Sequence, residues 1–255
     1  MGAELTLTAV AGIPSVQPGD DIAGLVMRSL DETGINLLSG DILVIAQKII
    51  SKAEGRLIQL ESVTPGERAR QVARATDKDP RLVELILGES DEISRLAPGV
   101  LIVCHRLGFT SANAGIDRSN VGQDGENETV LLLPCDPDAS AQQIRQTIEQ
   151  HCGVCMGVVI SDSHGRPFRL GTVGVAIGVS GLPALWDRRG EADLHGYTLQ
   201  HTDVGVGDEI AAAAGLLMGQ GAEGLPVVLV RGLALPHTAG RATDLIRPKD
   251  KDLYR

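Results

Sequence analysis

The stretch VCMGVVISDSHGRPFRLGTVGVAIGV, residues 154–179, decides how the chain is read. Both of its ends are apolar and rich in valine and isoleucine. Val154 to Ser161 is therefore expected as one strand and Thr172 to Val179 as the next. Between them lies SDSHGRP (Ser161 to Pro167), a polar turn carrying an acid. The glycines interleaved in the second strand weaken it but let another backbone or a ligand come close.

Working outward, DPDASAQQIRQTIEQHCG opens on a cap signal, places Ile144 and Ile148 on one face, and stops near Gly153, which makes a helix. Upstream, Leu5 to Val10, Asp41 to Ala46, Gly99 to Arg106 and Thr129 to Pro134 are expected strands. Asp20 or Asp21 is expected to cap a helix running to about Leu30, because an Asp oxygen can accept from the free N–H groups of the first turn. TPGE at Thr64 to Glu67 has the form of a capping box with proline at the first helical position, so a helix should start there. Another should follow Pro80. Downstream, Asp208 to about Met218 is an Ala-rich helix, Pro226 to Arg231 a strand, and the chain from His237 a polar tail. Strands and helices mix without the regular βαβ rhythm of a doubly wound sheet. The expectation is α+β, one unit over residues 1–255 with two lobes, a boundary being conceivable near Ser111 to Asn120.

Composition narrows the function. The 255 residues hold 33 acidic against 23 basic side chains, a formal charge of −10, which repels a nucleic-acid backbone. Aromatics are 2%, so the core is aliphatic and stacking on bases is not a binding mode here. No apolar run is long enough to cross a bilayer and the N-terminus lacks the pattern of a signal peptide, so no membrane partner and a cytoplasmic location are expected. Cys152 and Cys155 form a CxxC, but the second pair or histidines that a zinc site needs are missing, and inert core thiols are expected. No Walker motif is present, no GxGxxG opens a helix after a strand, and no GxSxG elbow appears.

Four segments carry candidate chemistry. SANAGID (Ser111 to Asp117), with Asn120 beyond it, offers a carboxylate on a tight turn, where Asn113 and Gly115 suit unusual backbone angles. It reads either as an ordinary Asx-rich turn, which spacing alone favours, or as oxygen donors for a hard cation. In ISDSHGRPFRLG, Asp162 is expected at the end of an apolar strand beside the Ser163 hydroxyl. Arg166 and Arg169 are forked cations suited to phosphate or carboxylate, and His164 by itself says little. MGQGAEGLP (Met218 to Pro226) reads as a helix stop, or as backbone N–H groups that cradle an anion, with Gln220 offering a neutral oxygen. Lys48 and Lys52 follow a strand and read as surface, or as a reach toward phosphate.

Taken in order, GIPSVQPGDD, ISKAEGR, SANAGIDRSNVG, LLLPCDPDASA, SDSHGRPFRLGTVGVAIGVSG, GDEIAAAAGLLMGQGAEGLPVVLVRG and LIRPKDKDLYR resemble the coenzyme F420-0:L-glutamate ligase (coenzyme F420 γ-glutamyl ligase) family over nearly the whole chain. Relatives with a further flavin-type reductase domain extend past this region, so the chain matches the ligase portion. The resemblance implies an unusual α+β fold in an intertwined homodimer. It implies ligation of L-glutamate to the lactate carboxylate of F420-0, followed by γ-linked glutamates, with GTP and one or two Mg²⁺ or Mn²⁺ ions, and K⁺ as an accompanying ion.

Carried over by position, the metal set is Asp117, Asp162, Ser163 and Gln220, the first two being the catalytic acids. The GTP contacts are Ile13, Pro14, Ser15 and Val16, then Gln47 and Lys48, Lys52, Asn120, and the loop Met218, Gly219, Gln220, Gly221, Ala222, Glu223, Gly224 and Leu225. Relatives with Thr at the Ser163 position keep the same hydroxyl; relatives with Glu at the Gln220 position have a charge that this chain lacks. A Ser-Thr pair of some relatives is Gln47-Lys48 here. Arg166 and Arg169 are candidates to grip a phosphodiester or the incoming glutamate. Two other classes use the same groups: a metal-dependent phosphohydrolase, and a non-catalytic nucleotide- or deazaflavin-binding module.

Overall fold

The computed structural model describes residues 4–121, 128–236 and 238–252. His237, Gly122 of the SANAGIDRSNVG segment and the last three residues lie outside that set. In chain order the elements are β1 (Thr6–Ala9), α1 (Ile22–Thr33), β2 (Ile42–Ala46), α2 (Gln47–Ala53), β3 (Leu57–Gln59), α3 (Glu67–Thr76), α4 (Pro80–Gly88), β4 (Ser90–Ala97), β5 (Val100–His105), β6 (Thr110–Ala112) and β7 (Thr129–Leu131). There follow α5 (Pro137–Cys152), β8 (Gly157–Arg166), β9 (Arg169–Ser180), β10 (Trp186–Asp187), β11 (Asp203–Val204), α6 (Val206–Met218) and β12 (Val227–Arg231). The chain is α+β, as its sequence leads one to expect.

The main sheet runs β1-β12-β2-β8-β9, with β2 and β8 parallel and the other pairs antiparallel. Its central strands are apolar on both faces because both faces are covered. Leu43, Ile45, Val158, Ile160, Val227 and Leu229 pack with α1, α2 and α5. Their neighbours Ile42, Val44, Val159, Val228 and Val230 pack with α6 on the other side. A separate cluster joins α3 and α4 to Leu101, Val103 and Val130 of β5 and β7. No helix among the described residues is long and apolar enough to cross a membrane.

β8 and β9 form the longest strand pair, and one irregularity in it matters for the site. Ile160 faces Gly178 but Ser161 faces Ala176, so Ile177 is an extra residue in β9. Such a bulge reverses which way the following side chains point. Glycines on either side of it let helices approach from opposite faces. A Cβ on Gly174 would lie 2.4 Å from the Ala211 carbonyl oxygen of α6, and one on Gly178 2.3 Å from that of Pro137 in α5. These obstacles are backbone and cannot swing aside. Gly178→Ala is expected to destabilise the protein by about 1–3 kcal/mol, read as a lowered midpoint in chemical denaturation.

Several local expectations need correcting. SDSHGRP is not a turn: β8 continues through it to Arg166, and Asp162 pairs with Val175 inside the strand. The long partner strand β9 supplies hydrogen bonds for these polar residues. The α3 helix begins at Glu67 after an N-cap Gly66 with no side-chain cap, so Thr64 and Pro65 precede it. Glu84 of α4 accepts the Gly66 N–H instead. Asp21 sits at the N-cap of α1 without a side-chain bond, while Asp20 accepts from Gln17 N–H. Cys152 and Cys155 are free and exposed, not core thiols, because they lie past the buried face of α5 and before β8 enters the sheet. Strand β4, SDEISRLA, is polar and mostly exposed, and its pattern hides it from a hydrophobicity reading.

Candidate active site

A pocket of about 660 Å³ opens where β2 gives way to α2, beside the middle of β8 and the C-terminal end of α6. Its walls include Ile13 to Val16, Gln47, Lys48 and Lys52, Asn120, Asp162 and Ser163, and the loop Met218 to Ala222 with Gly224 and Leu225. Segments far apart in sequence thus meet in one cavity of a size that suits a single nucleotide-like ligand.

Asp117 stands behind that wall. Both Lys48 Nζ, at 2.7 Å, and Gln47 Nε2, at 2.6 Å, reach its Oδ2. Gln47 is buried, and its own Oε1 accepts from Ser51 Oγ at 2.8 Å, which fixes its amide direction. Gln47 and Lys48 therefore have a structural role, because they neutralise and orient an acid. Asp117 is placed by backbone pairing, its N–H and C=O exchanging 2.9 Å bonds with Leu131 of β7. The preceding turn needs left-handed backbone at Asn113 (φ 52°), Ala114 (φ 55°) and Gly115 (φ 66°). Burial raises the Asp117 carboxyl above its ordinary value; Lys48 opposes this, and the nearby charge of Asp162 adds to the rise.

Asp162 is 10% exposed and its Oδ2 lies 2.9 Å from His164 Nε2. The two alternate on one strand and so share a face. The His164 ring rests on Phe109, with centroids 4.8 Å apart. Asp208, at the start of α6, holds the Ala176 N–H at 2.8 Å beside the bulge; burial raises its carboxyl, and the His164 charge partly offsets that. Gln47, His164, Phe109 and Asp208 are invisible as a group in the sequence. The one local signal is that His164 follows Asp162 at strand spacing.

The glycine loop after α6 is folded on itself. Glu223 accepts from the Gly221 N–H at 2.8 Å, turning away from the cavity wall, and Asn120 Nδ2 donates to Gly221 O at 3.0 Å. That second bond ties the Asp117 segment to the loop. Lys52 lies one helical turn from Lys48; burial, then the Lys48 charge, lowers its ammonium below the ordinary value. Arg166 and Arg169 do not line the pocket. They face each other at the far end of the β8–β9 hairpin, where Arg166 Nη2 donates to Leu170 O at 3.1 Å.

Residues 12–232 match the F420-0:Gamma-glutamyl ligase family. The chain belongs to that family. It is 50% identical over 253 residues to the coenzyme F420:L-glutamate ligase of Methanothermobacter thermautotrophicus, covering 98% of this chain and 99% of that relative. Identity to the enzyme of the same name from Methanocaldococcus jannaschii is 47% over 216 residues, 85% of each chain. With that of Archaeoglobus fulgidus it is 42% over 246 residues, 96% of this chain and 94% of the relative. The family match takes in the pocket and every strand of the main sheet except β1.

A divalent cation fits the residues present. Burial and, to a smaller extent, the charge of Asp162 raise the Asp117 carboxyl, and a cation would oppose both. The Ser163 hydroxyl and the Gln220 amide are hard oxygen donors lining the same cavity. No cluster of three or more His, Cys, Asp or Glu is present among the described residues. None is needed, since Mg²⁺ takes one or two carboxylates plus substrate phosphates.

Proposed function

We propose that this chain ligates L-glutamate to the lactate carboxylate of coenzyme F420-0, with GTP and a divalent metal as co-reactants, and can extend the product by γ-linked glutamates. One observation carries the reading. Asp162, Lys48, Lys52 and a glycine loop line one cavity, and Asp117, held by Lys48 and Gln47, stands behind its wall. Phosphoryl transfer needs positioning and charge neutralisation above all, and these groups provide both. The relatives' shared name as coenzyme F420:L-glutamate ligases supports the choice of acceptor and amino acid.

A carboxylate does not condense with an amine at neutral pH, so activation must come first. The lactate carboxylate takes the γ-phosphoryl group of GTP and GDP leaves. The glutamate amine, having shed a proton, then attacks the acyl carbon, and phosphate leaves as the amide forms. Asp117, Asp162, Ser163 and Gln220 would hold Mg²⁺ or Mn²⁺, which neutralises developing phosphate charge. Ser163 and Gln220 are the weaker of these donors because neither brings a charge. Lys52 and Lys48 balance phosphate charge, and the backbone of residues 219–224 cradles the anion. Arg166 and Arg169 remain candidates for a phosphodiester or the incoming glutamate, from the hairpin end.

The full chain incubated with F420-0, L-glutamate, GTP and Mn²⁺ should gain product mass in discrete glutamyl steps. GTP hydrolysis that ignores glutamate would instead indicate a phosphohydrolase, and binding without turnover a non-catalytic module. We also propose the two-lobed homodimer that the resemblance implies. Phe168 and Leu170 at the β8–β9 end are 96% and 98% exposed, which water disfavours and a second copy would cover. Light scattering should give twice the chain mass, and Phe168→Ser with Leu170→Ser should shift it toward the monomer.

A further inference from the structure

The chain contains only two phenylalanines, and they have opposite fates. Phe168 is in solvent, while Phe109 touches two histidine rings. His105 stacks on it, with centroids 5.2 Å apart and planes 9° apart, and His164 tilts against it with centroids 4.8 Å apart. Phe109 is held there by backbone: its carbonyl accepts the His105 N–H at 2.8 Å, and Gly108 N–H closes the turn onto His105 O at 2.7 Å.

The far end of this column is locked. His105 is fully buried. Its Nδ1 accepts the Leu107 N–H at 3.0 Å, so in the neutral ring the proton is on Nε2. That nitrogen has no hydrogen-bond partner among the described residues and faces Glu89 Oε2 at 3.6 Å. Glu89 in turn is held by Arg56 at 2.8 Å and Arg106 at 3.1 Å. Flipping the His105 ring would break the Leu107 bond and put a C–H in place of the Nε2–H that faces the carboxylate. The near end is the pocket acid. An ionised Asp162 can only accept, so His164 Nε2 carries the proton that holds Oδ2.

We propose that His164 is a positioning residue for Asp162, and that the Phe109–His105–Glu89 column anchors its ring. His164 fixes one oxygen of Asp162 and leaves Oδ1 for the divalent cation. The small β4-β5-β6 sheet thereby braces an acid of the main sheet. This rests on the ligase reading only in taking Asp162 as a carboxylate that meets that ion. Partners that orient a metal-binding side chain typically matter by about 10–100-fold in affinity.

The test is Mn²⁺ binding to the full chain, followed by the electron paramagnetic resonance signal of the free ion, with no turnover required. His164→Phe keeps a ring on Phe109 and removes the donor, so its Kd should rise by about 10–100-fold. His164→Gln returns an N–H and should recover much of the affinity. Phe109→Leu leaves both polar groups but removes the ring surface, and should give a smaller loss. Tight Mn²⁺ binding by wild type with His164→Phe and Phe109→Leu unchanged overturns the positioning role alone. Absence of Mn²⁺ binding by wild type overturns the metal reading and this role with it. If His164→Phe does not fold, Phe109→Leu decides by the same reading.

Discussion

Asp162→Asn should slow GTP-dependent glutamate addition by about 10²–10³-fold, the typical cost of removing one preorganised charge-stabilising group. The change is nearly isosteric, so the β8–β9 pairing through Val175 should persist and the melting midpoint should move little. What is lost is a negative charge facing the cavity and the charge-assisted bond from His164 at 2.9 Å. The same change takes away the repulsion that Asp162 exerts on Asp117, so the Asp117 carboxyl should ionise more readily. An Asp162→Asn variant that adds glutamate at the wild-type rate would remove Asp162 from the chemistry.

The largest stability effect should come from a residue outside the pocket. Glu89 lies at the end of α4, 12% exposed, with Arg56, Arg106 and buried His105 around it. Burial works to raise its carboxyl, but the pull of His105, Arg56 and Arg106 outweighs this and holds it at about 2, against an ordinary value of 4.5. Glu89→Leu leaves Arg56 half-buried without its partner. Breaking such a pair costs about 3 kcal/mol or more, or roughly 6–12 °C in melting midpoint for a chain of this size. The sign of the pH dependence follows from the lowered value. Between 4.5 and about 2 the unfolded chain binds the proton that folded Glu89 refuses. Its contribution is thus complete above 4.5 and fades as pH falls toward 2. The gap in midpoint between wild type and Glu89→Leu should narrow over that window. A gap independent of pH would mean that packing, not charge, is what Glu89 supplies.

Much of this can be read along the chain. The apolar strands at residues 42–46, 157–161 and 227–231 announce themselves because burial on both faces demands continuous Val, Ile and Leu. The α5 helix shows its Asp136 cap, its Pro137 start and its Gly153 stop, all local signals. The acids Asp117 and Asp162 stand out as polar residues beside such strands. Their spacing leaves the first as an ordinary turn, and only the match of whole segments to a family raises it. Strand β4 is hidden because an exposed edge needs no apolar face. The passage from Ser161 to Pro167 reads locally as a turn, and only the partner strand β9 keeps it extended.

The sequence by itself determined the α+β class, the aliphatic core and the family. Those depend on composition and short-range pattern, which one chain carries in full. The tertiary structure alone decided what the site residues do to one another. That Gln47 and Lys48 share one oxygen of Asp117, and that Asn120 closes on Gly221, depends on contacts 70 and 101 residues apart. That His164 steadies Asp162, though the two are neighbours in sequence, depends on a ring from the β5–β6 connection. Hydrogen bonds and ring contacts act over a few ångströms, so no pattern along the chain encodes them until the layers have packed.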